Sequence, residues 1–237
     1  MKWFSPALNR EMELLVFGDK GSPVILFPTR MARFYDYEDW GVIDALADKI
    51  DAGLIQVFCL DSVDAQSFYC KNISPGERIQ RHACYEQYLL HELVPFIQAR
   101  NQQAGMVSAG CSLGAYHAVN FAFRYPHLFI KIIGMSGRYD LTLRYPYFED
   151  LFEGYRDEFI YNNMPTQYIH HLSNTVIHQA IQQLVIVLAI GREDVFYENN
   201  CQLANSLSLQ NIPHVLHVMN GEAHKARYWG EVLNQYL

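Results

Sequence analysis

Seven short apolar segments recur along the chain and alternate with longer stretches of mixed polarity. They span residues 12–17, 24–27, 55–60, 106–109, 130–135, 184–190 and 214–219. Two of them, 24–27 and 184–190, are apolar throughout rather than at every second position. That pattern is typical of strands covered on both faces. The alternation therefore predicts an α/β fold with a mostly parallel central sheet flanked by helices.

Four of the intervening segments have the pattern of helices, at 43–52, 75–98, 115–124 and 226–236. Ser74 and Pro75 provide an N-cap and a first-turn proline for the longest of them. No linker, internal repeat or low-complexity tract interrupts the pattern. We therefore predict one domain over residues 1–237.

The stretch 144–179 departs from this pattern. It carries many Tyr, Phe, Asn and His residues and contains no clear strand. Two interpretations stay open: a small cap-like insertion over a pocket, or ordinary surface helices that are rich in tyrosine.

Charge and cysteine content exclude several classes of protein. The formal net charge is −7, and no run of Lys or Arg forms the basic patch that nucleic acid requires. We therefore expect no nucleic-acid partner. The chain has five cysteines at irregular spacing, with no C-x-x-C pair. This predicts neither a disulfide framework nor a zinc or redox motif.

The first fifteen residues mix charged and apolar side chains and lack the apolar region of a signal peptide. No stretch approaches the ~18 apolar residues of a membrane span. We expect a cytoplasmic protein with no membrane partner. The sequence leaves open whether the chain forms a homo-oligomer.

The most specific motif is the G-x-S-x-G pentapeptide at residues 110–114, centred on Ser112. A short apolar strand precedes it and a helix-compatible segment follows it, which is the context of a nucleophile elbow. In such a turn the serine projects from the carboxyl edge of the sheet, and the first N–H groups of the helix point to the same place. The motif therefore indicates a nucleophilic serine.

A serine hydroxyl needs a histidine base, and the histidine needs a carboxylate that holds it in one tautomer. Asp194 follows the strand 184–190, and His224 follows the strand 214–219. The three residues therefore occur in the chain order Ser, Asp, His, which is the order that accompanies a nucleophile elbow. Glu193 is the alternative acid. The remaining candidate histidines fit the role of base less well. His117 is expected to pack in a helix, the pair His170 and His171 lies in the segment 144–179, and His214 and His217 lie in a strand.

Acyl transfer also requires N–H donors for the oxyanion. The backbone N–H of Leu113, directly after the serine, is the first candidate. The second is expected in the loop after the strand 24–27, where Met31 is our choice and Arg30 the alternative.

Several further motifs accompany this set of residues. They are the elbow and its helix at 110–126, which ends in Tyr-Pro, the Tyr-x-x-x-Leu-x-x-Glu-Leu-x-Pro pattern at 85–95, the loop 31–40, and His224 followed by Trp229. Together they resemble the esterase D branch of the α/β-hydrolases. That branch includes S-formylglutathione hydrolases, feruloyl and enterochelin esterases, and mycobacterial mycolyltransferases. The resemblance covers nearly the whole chain and implies an α/β-hydrolase fold.

One loop departs from that branch. The formylglutathione enzymes usually have Ser-Gly-Leu in the oxyanion loop, whereas this chain has Thr29-Arg30-Met31 and no glycine. The difference speaks against a glutathione substrate.

These observations predict a serine carboxylic-ester hydrolase that forms an acyl-enzyme on Ser112 and needs neither a cofactor nor a metal. The expected partner is a small-molecule ester with a small or aromatic acyl group, because the Tyr- and Phe-rich segment offers apolar walls with polar groups. Two alternatives stay open. The same triad could serve an acyltransferase or thioesterase, or the fold could be a non-catalytic binding module.

Overall fold

A sheet of eight strands forms the centre of the computed structural model, in which residues 1–172 and 175–237 are described. In chain order the strands are β1 (Lys2–Ser5), β2 (Arg10–Phe17), β3 (Ser22–Phe27), β4 (Ile55–Leu60), β5 (Met106–Cys111), β6 (Phe129–Met135), β7 (Val185–Gly191) and β8 (Val215–Met219). Their spatial order is β1-β2-β4-β3-β5-β6-β7-β8. The strands β3 to β8 pair in parallel, while β1 and β2 form an antiparallel edge. The predicted mostly parallel sheet is therefore confirmed.

Ten α-helices occur in the described part of the chain. They are α1 (Asp36–Asp39), α2 (Ala47–Asp51), α3 (Pro75–Tyr88), α4 (Val94–Arg100), α5 (Leu113–Arg124), α6 (Glu158–Tyr161), α7 (Pro165–Tyr168), α8 (Val176–Ile181), α9 (Tyr197–Leu209) and α10 (Ala226–Tyr236). Single 3₁₀ turns lie at Asp44–Leu46, Asp64–Gln66, Pro126–Leu128 and Ile169–His171. None of these helices is both long and apolar enough to cross a membrane.

The seven predicted strands and the helix over 226–236 are confirmed within two residues at each end. The long helix expected over 75–98 is instead two helices joined by a π-helical turn at Leu89–Leu93. Pro95 lies just after this turn, and a proline has no N–H to continue the intrahelical hydrogen bonds. The expected start is confirmed, because Ser74 and Glu77 form a reciprocal capping box.

Several elements have no counterpart in the prediction, among them α1, α9 and β1. The helix α9 is rich in Asn and Ser, which are weak helix formers, so its pattern does not indicate a helix. The strand β1 is four residues long, and its position depends on distant contacts. Glu92 accepts hydrogen bonds from Trp3 Nε1 at 3.1 Å and from Ser5 Oγ at 2.8 Å.

Helices cover both faces of the sheet. Along β3, Ile25 and Phe27 pack into one apolar cluster with α5, whereas Val24 and Leu26 pack into a second cluster with α10. Successive side chains of a strand point to opposite faces, so a strand covered on both sides is apolar at every position. The uniform apolar pattern of 24–27 is explained by this burial.

The chain between β6 and β7 contains the three short helices α6, α7 and α8. Its side chains pack on the start of α5, where Leu113 and Tyr116 contact a cluster that includes Leu141, Phe152 and Met164. The predicted insertion 144–179 falls in this region, and its residues 173 and 174 lie outside the described residues. The single-domain and cap-like interpretations stay predictions.

Candidate active site

Ser112 lies in a sharp turn between β5 and α5. Its backbone has φ 54° and ψ −117°, a conformation that costs an L-residue about 1–3 kcal/mol. The flanking glycines allow the turn to close. A Cβ on Gly110 would lie 2.3 Å from the Gly114 carbonyl oxygen, and one on Gly114 would lie 2.3 Å from that of Phe27. The G-x-S-x-G motif therefore has the strained strand-to-helix geometry of a nucleophile elbow.

The backbone of Ser112 is fixed by its neighbours. Its N–H donates to the Met135 carbonyl at the end of β6 at 2.8 Å, and its carbonyl accepts from the Ala115 N–H at 3.2 Å. The side-chain hydroxyl makes no hydrogen bond to another residue of 1–172 or 175–237. The strain and the contacts thus hold one rotatable hydroxyl at the carboxyl edge of the sheet.

Asp194 and His224 form a hydrogen-bonded pair at the same edge. Asp194 Oδ2 lies 2.9 Å from His224 Nδ1, and the carboxyl group is buried. A carboxylate only accepts hydrogen bonds, so the proton on Nδ1 is the one shared with Asp194. This tautomer leaves Nε2 of His224 as a proton acceptor. The second oxygen of Asp194 accepts from the Phe196 N–H at 2.9 Å, which fixes the carboxyl group in one orientation.

Close backbone contact brings the two loops together. A Cβ on Gly191 would lie 2.2 Å from the Glu222 carbonyl oxygen, so the loop after β8 can fold over the end of β7 only because this residue is glycine. The N–H of Glu193 donates to the Gly221 carbonyl at 2.9 Å. The side chain of Glu193, the alternative acid, is exposed and makes no hydrogen bond to His224.

Two aromatic rings support the imidazole of His224. Phe196 lies 5.8 Å from it and Trp229 lies 5.7 Å from it, measured between ring centroids. Trp229 is buried against the second apolar cluster. The histidine ring is therefore held from α10 and from the loop that carries Asp194.

The backbone N–H groups of the candidate oxyanion donors differ in the hydrogen bonds that they make in this structure. Leu113 is the first residue of α5, so intrahelical bonding does not use its N–H. Met31 has φ 60°, and its N–H donates to Asp64 Oδ2 at 3.0 Å. The buried Asp64 carboxylate requires a donor and takes the Met31 amide in this structure, and the role of Met31 as an oxyanion donor stays a prediction. The Arg30 amide, the alternative, donates to no other residue of the described chain.

Asp64 is a residue that the sequence analysis missed. It follows β4 at the carboxyl edge of the sheet, and that position was the available signal. Its other oxygen, Oδ1, faces His117 Nε2 at 3.5 Å. His117 is buried, as expected for a histidine packed in a helix, and its ring stacks on Phe27 at 6.1 Å.

The other histidines contact groups away from Ser112. Their partners are Ser206 for His170, Tyr161 for His171, the Ile212 carbonyl for His214 and Tyr236 for His217. In the parts of the chain that the structure describes, no group of three or more His, Cys, Asp or Glu side chains is arranged to hold a metal ion.

Cys111, the residue before Ser112, is buried. Its Sγ lies 3.0 Å from the hydroxyl oxygen of Tyr37, which in turn donates to the Phe27 carbonyl. Burial raises the pKa of the Cys111 thiol to about 12. At neutral pH this residue is therefore a protonated thiol and not a competing nucleophile.

The chain has the fold of solved esterases and hydrolases at low sequence identity. A ferulic acid esterase from Anaeromyces mucronatus in complex with ferulic acid shares 15% identity at a TM-score of 0.70, covering 98% of this chain and 87% of that one. An S-formylglutathione hydrolase from Agrobacterium tumefaciens shares 13% identity at a TM-score of 0.78, covering 100% of this chain and 91% of that one.

A third similar structure is the fluorophosphonate-binding serine hydrolase FphF from Staphylococcus aureus. It shares 17% identity at a TM-score of 0.74, and the alignment covers 99% of this chain and 94% of that one. No curated protein matches the sequence. A family model described as "Putative esterase" matches residues 5–237. The chain therefore belongs to this esterase family and has the α/β-hydrolase fold of its structural neighbours.

Proposed function

We propose that this protein is a serine carboxylic-ester hydrolase that works through an acyl-enzyme intermediate. The observation that carries the proposal is the 2.9 Å hydrogen bond between Asp194 and His224, at the sheet edge where Ser112 occupies a strained elbow. A carboxylate–imidazole pair of this kind beside a free serine hydroxyl is the arrangement that activates serine in acyl transfer.

In the proposed reaction, Nε2 of His224 accepts the proton of Ser112 while Oγ attacks the acyl carbon. Asp194 stabilises the imidazolium that forms. The alcohol then leaves with the proton from Nε2, and an ester to Ser112 remains. Water attacks this ester as it loses a proton to His224, the acid is released, and His224 returns the proton to Oγ of Ser112.

The proposed oxyanion site combines the Leu113 N–H with a second donor from the loop that contains Arg30 and Met31. Met31 can serve only after its hydrogen bond to Asp64 is exchanged for one to the oxyanion. The first N–H groups of α5 add a favourable dipole at the same place.

The proposed substrate is an ester with a small or aromatic acyl group. This preference is supported by the rings of Tyr145 and Phe148, which lie 5.2 and 4.7 Å from the Phe196 ring that contacts His224. The same contacts support a cap-like role for the segment 144–179 within one domain over 1–237. One structural neighbour is a ferulic acid esterase in complex with ferulic acid, an aromatic acid.

Reaction with a fluorophosphonate tests the proposal without knowledge of the substrate. We expect one adduct, on Ser112, in the mass of the intact protein and of the labelled peptide. The adduct should be lost in Ser112→Ala and in His224→Ala. His127→Ala is the matched control, because His127 is an exposed histidine outside the site. A folded protein that gives no adduct at neutral pH would contradict the proposal and favour the non-catalytic binding module.

Product analysis separates hydrolysis from acyl transfer. If the wild-type serine reacts with the fluorophosphonate, the unlabelled wild-type protein should convert an ester panel with added alcohols and thiols mainly to free acid. New esters or thioesters in proportion to the added acceptor would instead indicate the acyltransferase or thioesterase alternative.

A further inference from the structure

Two arginine side chains lie against the same aromatic ring near the candidate active site. The guanidinium carbon of Arg30 is 5.3 Å from the centre of the Phe148 ring, and that of Arg138 is 5.9 Å from it. Arg30 also lies 5.9 Å from the centre of the Tyr69 ring. Burial raises the pKa of Tyr69, and the charges of Arg138 and Arg30 partly offset that effect. The two cations therefore share one aromatic surface.

This surface is close to the reacting groups. The backbone N–H of Arg138 donates to the Ser112 carbonyl at 3.4 Å, so the main chain of Arg138 lies beside that of Ser112. On the other side, the Phe148 ring contacts Phe196 at 4.7 Å, and Phe196 contacts His224 at 5.8 Å. The aromatic surface that the two arginines share is thus linked through Phe196 to the imidazole of His224.

Arg138 is buried, with 2% of the residue exposed, and only part of its guanidinium is used. Nη2 donates to the carbonyls of Leu143 and Glu149 at 2.9 and 2.5 Å. Nε and Nη1 have no hydrogen-bond partner among residues 1–172 and 175–237. The Tyr69 hydroxyl lies beside the guanidinium but does not reach hydrogen-bond geometry. Buried donors of a charged group are costly when they have no partner, so these two N–H groups are candidates to bind a group from outside the chain.

Neither arginine has a carboxylate partner in the described chain. By contrast, the buried Arg78 pairs with Glu153 and the half-buried Arg124 pairs with Glu86. Asp140 interacts with Arg138 through its charge but forms no ion pair with it. Its oxygens accept instead from Thr142 and Gln167. Two like charges without a counter-ion, in a protein of net charge −7, form a local site for an anion.

We propose that Arg138 and Arg30 bind a carboxylate of the substrate, so that this protein acts on esters that carry a negative charge. The inference rests on the proposed hydrolase function and specifies its substrate class. Guanidinium groups fit this role because they stay charged when buried, and their planar N–H groups match carboxylate oxygens. The rings of Phe148 and Tyr69 would cover the apolar part of such a substrate.

Binding to the Ser112→Ala protein tests this proposal independently of turnover. Two matched pairs of esters differ only in charge. Monoethyl glutarate and its amide place the carboxylate on the acyl side, and O-butyryl glycolate and its amide place it on the alcohol side. We expect calorimetry to show that the acid of at least one pair binds roughly tenfold or more tightly than the amide, the range of a charge-assisted hydrogen bond. Equal affinities in both pairs, or no detectable binding of either acid, would overturn the proposal.

Arginine variants in the Ser112→Ala background assign the effect. Arg138→Gln and Arg30→Gln should each reduce the preference for the acid, while Arg138→Lys should retain part of it. Arg144→Gln is the matched control. Arg144 is an exposed cation in the same connection between β6 and β7 as Arg138, and it lies 3.9 Å from Glu149. Arg30 is exposed, so its variant reports on binding even if substitution of the buried Arg138 unfolds the chain. A preference that survives in Arg30→Gln and in folded Arg138→Gln would contradict the assignment.

Labelling of Ser112 separates this inference from the proposed function. A wild-type protein that labels on Ser112 while its Ser112→Ala variant binds acid and amide equally is a serine hydrolase without charge selection. A protein that does not label but binds the acid selectively retains the anion site and lacks the proposed chemistry.

Discussion

The carboxylate of Asp64 accepts a hydrogen bond from the N–H of Met31 at 3.0 Å. The amide that the sequence suggests for the oxyanion site is thus bound to an internal anion. Asp64 is buried, and its other oxygen faces His117 at 3.5 Å without hydrogen-bond geometry. Release of the Met31 amide therefore requires a change in the contacts of a buried charged group.

The substitution Asp64→Asn should make this release easier. A neutral amide oxygen accepts more weakly than a carboxylate by about 1 kcal/mol, so labelling of Ser112 by a fluorophosphonate should accelerate roughly fivefold. The measurement is the pseudo-first-order labelling rate on folded protein. Asp61→Asn is the control, because Asp61 is a buried carboxyl after the same strand that contacts Arg33 rather than Met31. Slower labelling in Asp64→Asn would instead mean that the carboxylate holds the loop in its productive conformation.

The substitution Asp194→Asn should lower kcat by about 10³ to 10⁴, because the imidazole of His224 would lose its tautomer and the charge that stabilises its protonated form. The asparagine can still accept from the Phe196 N–H, so the fold should remain. Steady-state rates on any ester that the wild type cleaves measure the effect. Glu193→Gln changes the neighbouring exposed carboxylate and should leave kcat close to the wild-type value. If Glu193→Gln caused the larger loss, the acid would be assigned to Glu193.

The substitution Gly114→Ala should destabilise the fold by about 3 kcal/mol or more, because the new Cβ would lie 2.3 Å from the Phe27 carbonyl oxygen. Urea denaturation gives the change in the free energy of unfolding. Gly76→Ala is the matched control, since a Cβ there meets nothing closer than 3.6 Å and alanine favours helix over glycine. Equal stability of the two variants would contradict the tight packing of the elbow against β3.

Stability should fall as the pH decreases from 7 to 5, in part because of His82. Burial lowers the pKa of His82 well below its ordinary value, and the neighbouring His117 and Arg124 lower it further. Below the ordinary histidine pKa of about 6.5, the unfolded chain therefore binds a proton that the folded chain does not. The free energy of unfolding should decrease by at most about 1.4 kcal/mol per pH unit from this group.

Urea denaturation of His82→Gln at pH 5, 6 and 7 checks this assignment. The variant should show a shallower loss of stability with acid than the wild type. His127→Gln, at an exposed histidine, should keep the wild-type slope. Identical slopes in the wild type and His82→Gln would assign the acid sensitivity to other groups.

The fold and the elbow are readable from the sequence because their causes are local. A strand buried on both faces must be apolar throughout, as in 24–27, and the elbow requires Gly110 and Gly114 within five residues of chain. Asp194 and His224 are indicated by their positions directly after two late strands. The contact between them was an expectation, and the structure places Nδ1 of the histidine 2.9 Å from the carboxylate.

Asn199 and Asn200 lie beyond that local reasoning. Both are buried in α9, and their side chains hold the chain after β6: Asn199 Oδ1 accepts from the Tyr139 N–H at 2.6 Å, and Asn200 Nδ2 donates to the Gly137 carbonyl at 2.7 Å. In the sequence such residues predict a polar loop. In the fold they satisfy backbone groups some sixty residues away along the chain.

The sequence by itself determined seven of the eight strands, the strained serine turn and the loops that carry Asp194 and His224. These depend on side-chain size and polarity over a few neighbouring residues. Only the tertiary structure decided that Asp64 binds the Met31 amide and that Arg30 and Arg138 meet on Phe148. Those contacts join segments that are distant in the chain. Their energies depend on burial and on which other partners are within reach. Both are set only once the sheet has brought its loops to one edge.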